Sequence, residues 1–243
     1  LQRGAEAFRG YGLEPLQGGA GGDEGAGGVT LEPGSAVGVT LLRGDLNMTA
    51  TGTVTWVDGD TVYAFGHPFL NGGDSRMPMT SAVVHTVLAS VARSFKLSSP
   101  LKEIGAMVQD RSSCILGRKG AAAPMIPLEV SLKDLDTGHE SRFRYEVIRH
   151  PLFSGFLMNI AVGESVDAGE SRMGDCTVTA EWSVKLEGRE PVRFREAAGG
   201  NQAFQFGTVV EFFRLFQNPL EAPKVEKAEV ALTIQEGNRW VTL

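Results

Sequence analysis

Residues 36–65 constrain the fold most, because apolar side chains alternate with small or polar ones over much of this segment. A period of two places one face of a β-strand in a core. Residues 58–60 (Asp-Gly-Asp) interrupt the alternation, and these residue types tolerate the backbone angles of a tight hairpin turn. We therefore predict three or four consecutive antiparallel strands in a small barrel or curled sheet, with Trp56 and Phe65 in its core.

The remaining patterns predict further strands and a few helices. Residues 79–95 carry apolar side chains at spacings of three and four, which favours a helix, with an edge strand as the competing interpretation. The other predicted elements are a hairpin over 125–147, a helix over 151–166, a hairpin over 176–195, a helix over 204–217 and a strand over 225–235. The predicted fold class is thus mainly β with a few helices, a β-rich α+β protein.

Glycine-rich connectors suggest the domain organisation. Residues 18–28 are a low-complexity, Gly-rich run that has no large apolar side chain to bury, so we predict a linker without regular structure. We expect a helix end and this linker over 1–30, a β domain over 31–120, and a second α+β region over 121–243 packed on the first.

Composition and charge exclude several classes of function. The formal net charge of −6 comes without a stripe of Lys or Arg, so nucleic acid is not an expected partner. No apolar stretch reaches the roughly 18 residues that a membrane-spanning helix needs. His67 and His85 lack any short metal-ligand spacing and neither cysteine belongs to a CxxC pair, so we expect neither a metal nor another cofactor.

The two cysteines leave two interpretations open. Cys114 and Cys176 lie far apart in sequence, and neither belongs to a CxxC pair. In an exported protein they could form one disulfide, whose loop closure would stabilise the fold by about 4 kcal/mol. The alternative is a pair of buried thiols, since unpaired cysteine is among the most buried residue types.

Four short blocks carry a resemblance to a known family. They are Gly-Thr-Val-Thr at 52–55, Ala-Phe-Gly-His at 64–67, Ile-Gly at 104–105 and Ile-Leu-Gly at 115–117. In this order and spacing, residues 34–117 resemble the SpoIVB-type serine peptidase domain of sporulation-linked and related secreted bacterial proteins. The resemblance implies half of a chymotrypsin-like fold, an extracytoplasmic location in the periplasm or cell envelope, and His67 as the base of a Ser-His-Asp triad.

The family's nucleophile has no counterpart in this chain. It stands late in the family's domain, in a Gly-x-Ser-Gly-Ser pattern before a proline, and this chain contains no such pattern. Two nearer residues are weaker candidates: Asp74 as an acid that orients His67, and Ser112 as a hydroxyl in a polar turn after an apolar run. An imidazole without a positioned nucleophile does not perform acyl transfer.

Three hypotheses follow. The first is a non-catalytic SpoIVB-like domain that acts as a scaffold or binds a protein or peptide segment at a sheet edge or near His67. The second is a serine endopeptidase that uses His67 as general base with an unidentified nucleophile. The third is a purely structural module of a larger cell-envelope protein. The sequence does not distinguish oligomeric states.

Overall fold

The computed structural model describes residues 30–89, 94–169, 176–199, 207–218, 220–221 and 223–237. The described part is mainly β, with eleven strands and two helices, as the alternating patterns predict. The chain divides into two compact units. Of the described residues, the first unit takes 30–41 together with those within 47–124, and the second takes 42–46 together with those from 125 to 237. Residues 18–28, the predicted linker, lie outside the described residues.

The first unit is a closed six-stranded barrel. Its strands are β1 (Ala36–Gly44, of which residues 42–44 belong to the second unit), β2 (Met48–Asp58), β3 (Thr61–Ala64), β4 (Gly73–Leu88), β5 (Phe95–Asp110) and β6 (Ile115–Lys119). They follow one another in the order β1-β2-β3-β6-β5-β4, and β4 pairs antiparallel with β1 to close the ring. Closure leaves no unpaired sheet edge where the barrel is complete. The small antiparallel barrel and the three strands over 36–65 are confirmed.

Trp56 is not in the barrel core, which contradicts the prediction from alternation. Val54 is buried as expected, but the β2–β3 register shifts between Val54 and Trp56. One extra residue in β2 reverses the alternation, so the indole turns outward and is 60% exposed. Phe65, the second predicted core residue, is half-buried.

The predicted helix over 79–95 is also wrong, because residues 73–88 form strand β4. The apolar residues at helical spacing do not pack against a core, and Val83 and Val87 are exposed. β4 instead pairs with β5 along nearly its whole length, from Gly73 to Leu88. The β-branched residues of this segment suit the strand conformation, so tertiary pairing outweighs the helical spacing.

The second unit is a sheet with two helices. It contains β7 (Met125–Asp134), β8 (Glu140–Ile148), α1 (Ser154–Gly169), β9 (Cys176–Leu186), β10 (Val192–Gly199), α2 (Gly207–Phe216) and β11 (Val225–Glu236). The strand order is β10-β9-β11-β7-β8, and β8 also pairs with residues 42–44 at the end of β1. β11 runs parallel to β7, and the other pairs are antiparallel. Both hairpins, both helices and the last strand are confirmed.

Tyr145 links β8 to α1 through a hydrogen bond, and its ionisation is expected to make the stability of the second unit depend on pH in the alkaline range. Its buried hydroxyl lies 2.8 Å from Ser165 Oγ, which itself donates to the Ala161 carbonyl. Burial raises the pKa of Tyr145, and the hydrogen bond between Tyr145 and Ser165 only partly opposes this shift. The folded state therefore holds the phenolic proton more tightly than the unfolded state, and this contribution to stability is lost as pH rises above about 10.

Tyr145→Phe is expected to unfold about 1 kcal/mol more easily at neutral pH, because one buried hydrogen bond is lost. The wild-type protein should lose stability between neutral pH and a pH above the ordinary tyrosine pKa, and the variant should lose less. Urea denaturation at the two pH values measures both effects. Equal losses in the two proteins would contradict the assignment to Tyr145.

Candidate functional site

The loop between β3 and β4, residues 65–72, contains strained backbone. Phe65 has φ of 73° and Asn71 has φ of 54°, and neither is glycine. Side chains other than glycine rarely adopt this left-handed region, and a bulky residue there costs free energy that its surroundings must offset. Such strain is concentrated at functional sites, so this loop is the first candidate for function.

Asp110 holds the loop in place from the end of β5. Its carboxylate accepts backbone N–H groups from Phe69 at 2.8 Å, Leu70 at 2.6 Å and Gly72 at 3.3 Å. The residue is only 1% exposed, and hydrogen bonds to a charged acceptor are stronger than those between neutral groups. Three bonds from one buried carboxylate therefore fix residues 69–72 as a rigid unit.

The Phe65 ring anchors the other end of the loop on β2. A Cβ atom at Gly52 would lie 2.1 Å from Cδ1 of Phe65, so only glycine leaves room for the ring there. Phe65 also meets Phe69 edge to face, with ring centroids 5.6 Å apart. The Gly-Thr-Val-Thr and Ala-Phe-Gly-His blocks are thus in direct contact.

His67 is exposed at the outer surface of this loop. Its Nδ1 lies 2.7 Å from the carbonyl oxygen of Pro68, and a carbonyl only accepts, so Nδ1 carries the proton. In the neutral form of the ring, Nε2 is then the unprotonated nitrogen, which is the tautomer that a general base uses. Within the described part of the chain, no hydroxyl or carboxylate is hydrogen-bonded to the ring. In a catalytic triad an acid orients the imidazole, whereas the hydrogen-bond partner of the His67 ring is a backbone carbonyl.

Asp74 and Ser112 lie at the same corner of the barrel, and neither is hydrogen-bonded to His67. Asp74 is exposed and pairs with Arg111, with 2.7 Å between Oδ1 and Nη2. Ser112 is exposed in the β5–β6 turn, which the Arg111 N–H closes by bonding to the Cys114 carbonyl. Gly73 pairs with Asp110, which brings this turn beside the 65–72 loop. None of the described hydrogen bonds links the three candidates into a catalytic relay.

The role of Asp110 was not recognised from the sequence. The available signal was an acid directly after an apolar strand, but its partners lie about 40 positions earlier. Only the pairing of β4 with β5 brings them together. No disulfide joins Cys114 to Cys176, and Cys114 is partly buried whereas Cys176 is buried.

The described residues include neither a metal-binding cluster nor a membrane-spanning helix. They contain no group of three or more His, Cys, Asp or Glu side chains arranged to hold a metal ion. No helix among them is long and apolar enough to cross a membrane.

Comparisons with known proteins give no family. No family model matches the chain, and no curated protein matches it. Among solved structures, one match is a superantigen-like protein from Staphylococcus aureus in complex with 3-N-acetylneuraminyl-N-acetyllactosamine. It is 12% identical, and the match covers 82% of this chain and 93% of that chain with a TM-score of 0.23. A similarity this weak carries no conclusion about fold or function.

Proposed function

We propose that this chain is a non-catalytic SpoIVB-like domain of an exported bacterial protein, and that it binds an extended protein or peptide segment at residues 65–72. The observation that carries the proposal is the rigid loop, in which the buried Asp110 fixes residues 69–72 while the His67 ring stays exposed. A surface that is already ordered binds without the entropic cost of ordering itself.

The contacts of His67 favour binding over catalysis. A serine nucleophile needs a base within about 2.6–3.2 Å, and the base needs a third group to orient it. The His67 ring contacts the Pro68 carbonyl and the Phe65 ring, at a centroid distance of 5.8 Å for the latter. In its neutral form, the ring offers Nε2 to accept a backbone N–H from a bound segment, and the half-buried Phe65 ring beside it provides apolar contact.

Wild-type protein is expected to leave labelled casein uncleaved, and His67→Ala should give the same result. In selection from a displayed decapeptide library, the enriched peptides should bind His67→Ala about tenfold more weakly, because one hydrogen bond and the ring contact are lost. His139→Ala is the matched control, since His139 is also exposed but lies in the β7–β8 turn of the second unit. Equal binding by all three proteins would exclude a role for His67 in recognition and favour a purely structural module.

The alternative is a serine endopeptidase, which the unprotonated Nε2 of His67 favours. In that case Asp74 or a hydroxyl such as Ser112 would have to reach the ring after a movement of the corner. A serine-directed fluorophosphonate probe tests this directly. Labelling of the wild type that disappears in His67→Ala would replace the binding proposal with the enzyme.

A further inference from the structure

The sheet of the second unit has a polar face with a shallow groove of about 480 Å³. Strand register sets its side chains in two rows across the strands. One row runs through Arg193, Ser183, Glu229, Glu129 and Arg144, and the next runs through Arg195, Glu181, Ala231, Ser131 and Arg142. Ala231 and Ser131, in the middle of the second row, have short side chains and form the floor of the groove. The longer charged side chains on β10 and β8, at the two ends of the rows, form its walls.

The acidic side chains on the groove floor form ion pairs with basic neighbours. Lys227 Nζ lies 3.0 Å from a carboxylate oxygen of Glu129 and 2.7 Å from one of Glu229, so this lysine forms ion pairs with both glutamates in the middle of the first row. Glu181 lies 3.6 Å from Arg195. The acids of the groove floor therefore already have cationic partners.

Three arginines of the groove form no ion pair within the described part of the chain. Arg142 and Arg144 on β8, and Arg193 on β10, are exposed, and their guanidinium groups make no hydrogen bond or ion pair with any described residue. Arg142 is near enough to Glu140 to help lower the pKa of that carboxyl, but the bonded partner of Glu140 is Lys133. A guanidinium presents its donors as a planar fork that matches a carboxylate with two parallel hydrogen bonds. The unpaired cations stand on opposite walls of one groove.

We propose that this groove binds an acidic, extended polypeptide segment. β10 and β8 are separated by four strand spacings, or about 19 Å at about 4.8 Å each, and about six extended residues cover that distance. A single small anion could reach only one wall, whereas a peptide with several carboxylates can reach both. Its backbone can approach the sheet over Ala231 and Ser131, where the side chains are short.

The same charges disfavour the other polyanions. A nucleic acid or an anionic lipid surface presents a continuous field of phosphates, which would meet the carboxylates of Glu129, Glu181 and Glu229 as well as the arginines. The whole chain also has a formal net charge of −6. A peptide can place its acids selectively at the walls and uncharged residues over the floor. This site lies in the second unit and requires nothing from residues 65–72.

The test uses a fluorescein-labelled octapeptide of alternating Glu and Ser, followed by fluorescence anisotropy with the whole chain at low ionic strength. The triple variant Arg142→Gln, Arg144→Gln, Arg193→Gln is expected to bind the peptide at least about tenfold more weakly. It loses the guanidinium groups that would bind the peptide carboxylates on both walls. Added salt should weaken wild-type binding and should affect the variant less.

The matched control removes the same formal charge elsewhere in the second unit. In Arg189→Gln, Arg214→Gln, Lys224→Gln, each lost cation is an exposed one that is already paired with a glutamate. This control should bind the peptide as the wild type does, and circular dichroism should show both triple variants folded. Absence of wild-type binding, or equal weakening by the two triple variants, would overturn the proposal. Heparin or anionic vesicles that bind the wild type more tightly than the peptide, and lose binding in the groove variant, would assign the groove to phosphate- or sulfate-rich polyanions instead.

Discussion

Asp110→Ala is expected to lower the free energy of unfolding of the first unit by about 3 kcal/mol or more. The change removes one buried carboxylate and leaves the N–H groups of Phe69, Leu70 and Gly72 without their acceptor. Phe69 is buried, Leu70 is half-buried and Gly72 is exposed, so water can replace the lost acceptor at Gly72. An orphaned buried donor costs about 1–3 kcal/mol, and hydrogen bonds to a charged acceptor are at the upper end of that range. Urea denaturation measures the loss. Amide hydrogen exchange at those three positions should accelerate more than exchange in the barrel strands.

Two further variants make the Asp110 experiment specific. Asp74→Ala also removes an aspartate at this corner, but the Asp74 side chain is 81% exposed and makes one surface ion pair with Arg111. That change should cost less than about 1 kcal/mol. Asp110→Asn keeps the shape and one acceptor oxygen, so we expect an intermediate loss. If Asp110→Ala and Asp74→Ala had similar effects, the rigid loop would not depend on the buried carboxylate.

Trp182→Ala is expected to destabilise the second unit by about 3–5 kcal/mol, the range for removing a large buried aromatic side chain. Trp182 is 2% exposed, stacks on Phe194 at 5.8 Å and meets Phe212 of α2 edge to face at 5.0 Å. Its indole N–H also donates to Glu196 at 3.0 Å. Truncation leaves a cavity between β9, β10 and α2, and chemical denaturation monitored by circular dichroism reports its cost.

Trp56→Ala provides the control for this change. The same atoms are removed, but the Trp56 indole is 60% exposed, so little apolar surface returns to water. We expect a loss below about 1 kcal/mol. A cost for Trp56→Ala comparable to that for Trp182→Ala would mean that the outward position of Trp56 is incorrect.

The sequence alone determined the β-rich class and most of the second unit. In β7 the buried residues Leu128, Val130 and Leu132 alternate with exposed ones, and the hairpin turn follows directly at Asp134. Such a pattern is local, since a strand with one buried face and a turn residue at its end can be recognised without knowing its partner. β9 and β11 were recognisable for the same reason.

Tertiary structure decided the features that depend on pairing between distant segments. The bulge that turns Trp56 outward comes from the register of β2 against β3, and the strand at 79–88 comes from its long pairing with β5. The three hydrogen bonds of Asp110 reach back about 40 positions. The rows that set Arg193 and Arg144 across one groove combine four strand registers, one of them the parallel pairing of β11 with β7. Alternation identifies which face of a strand is buried, but a local pattern has no information about which strand lies beside it or in which register.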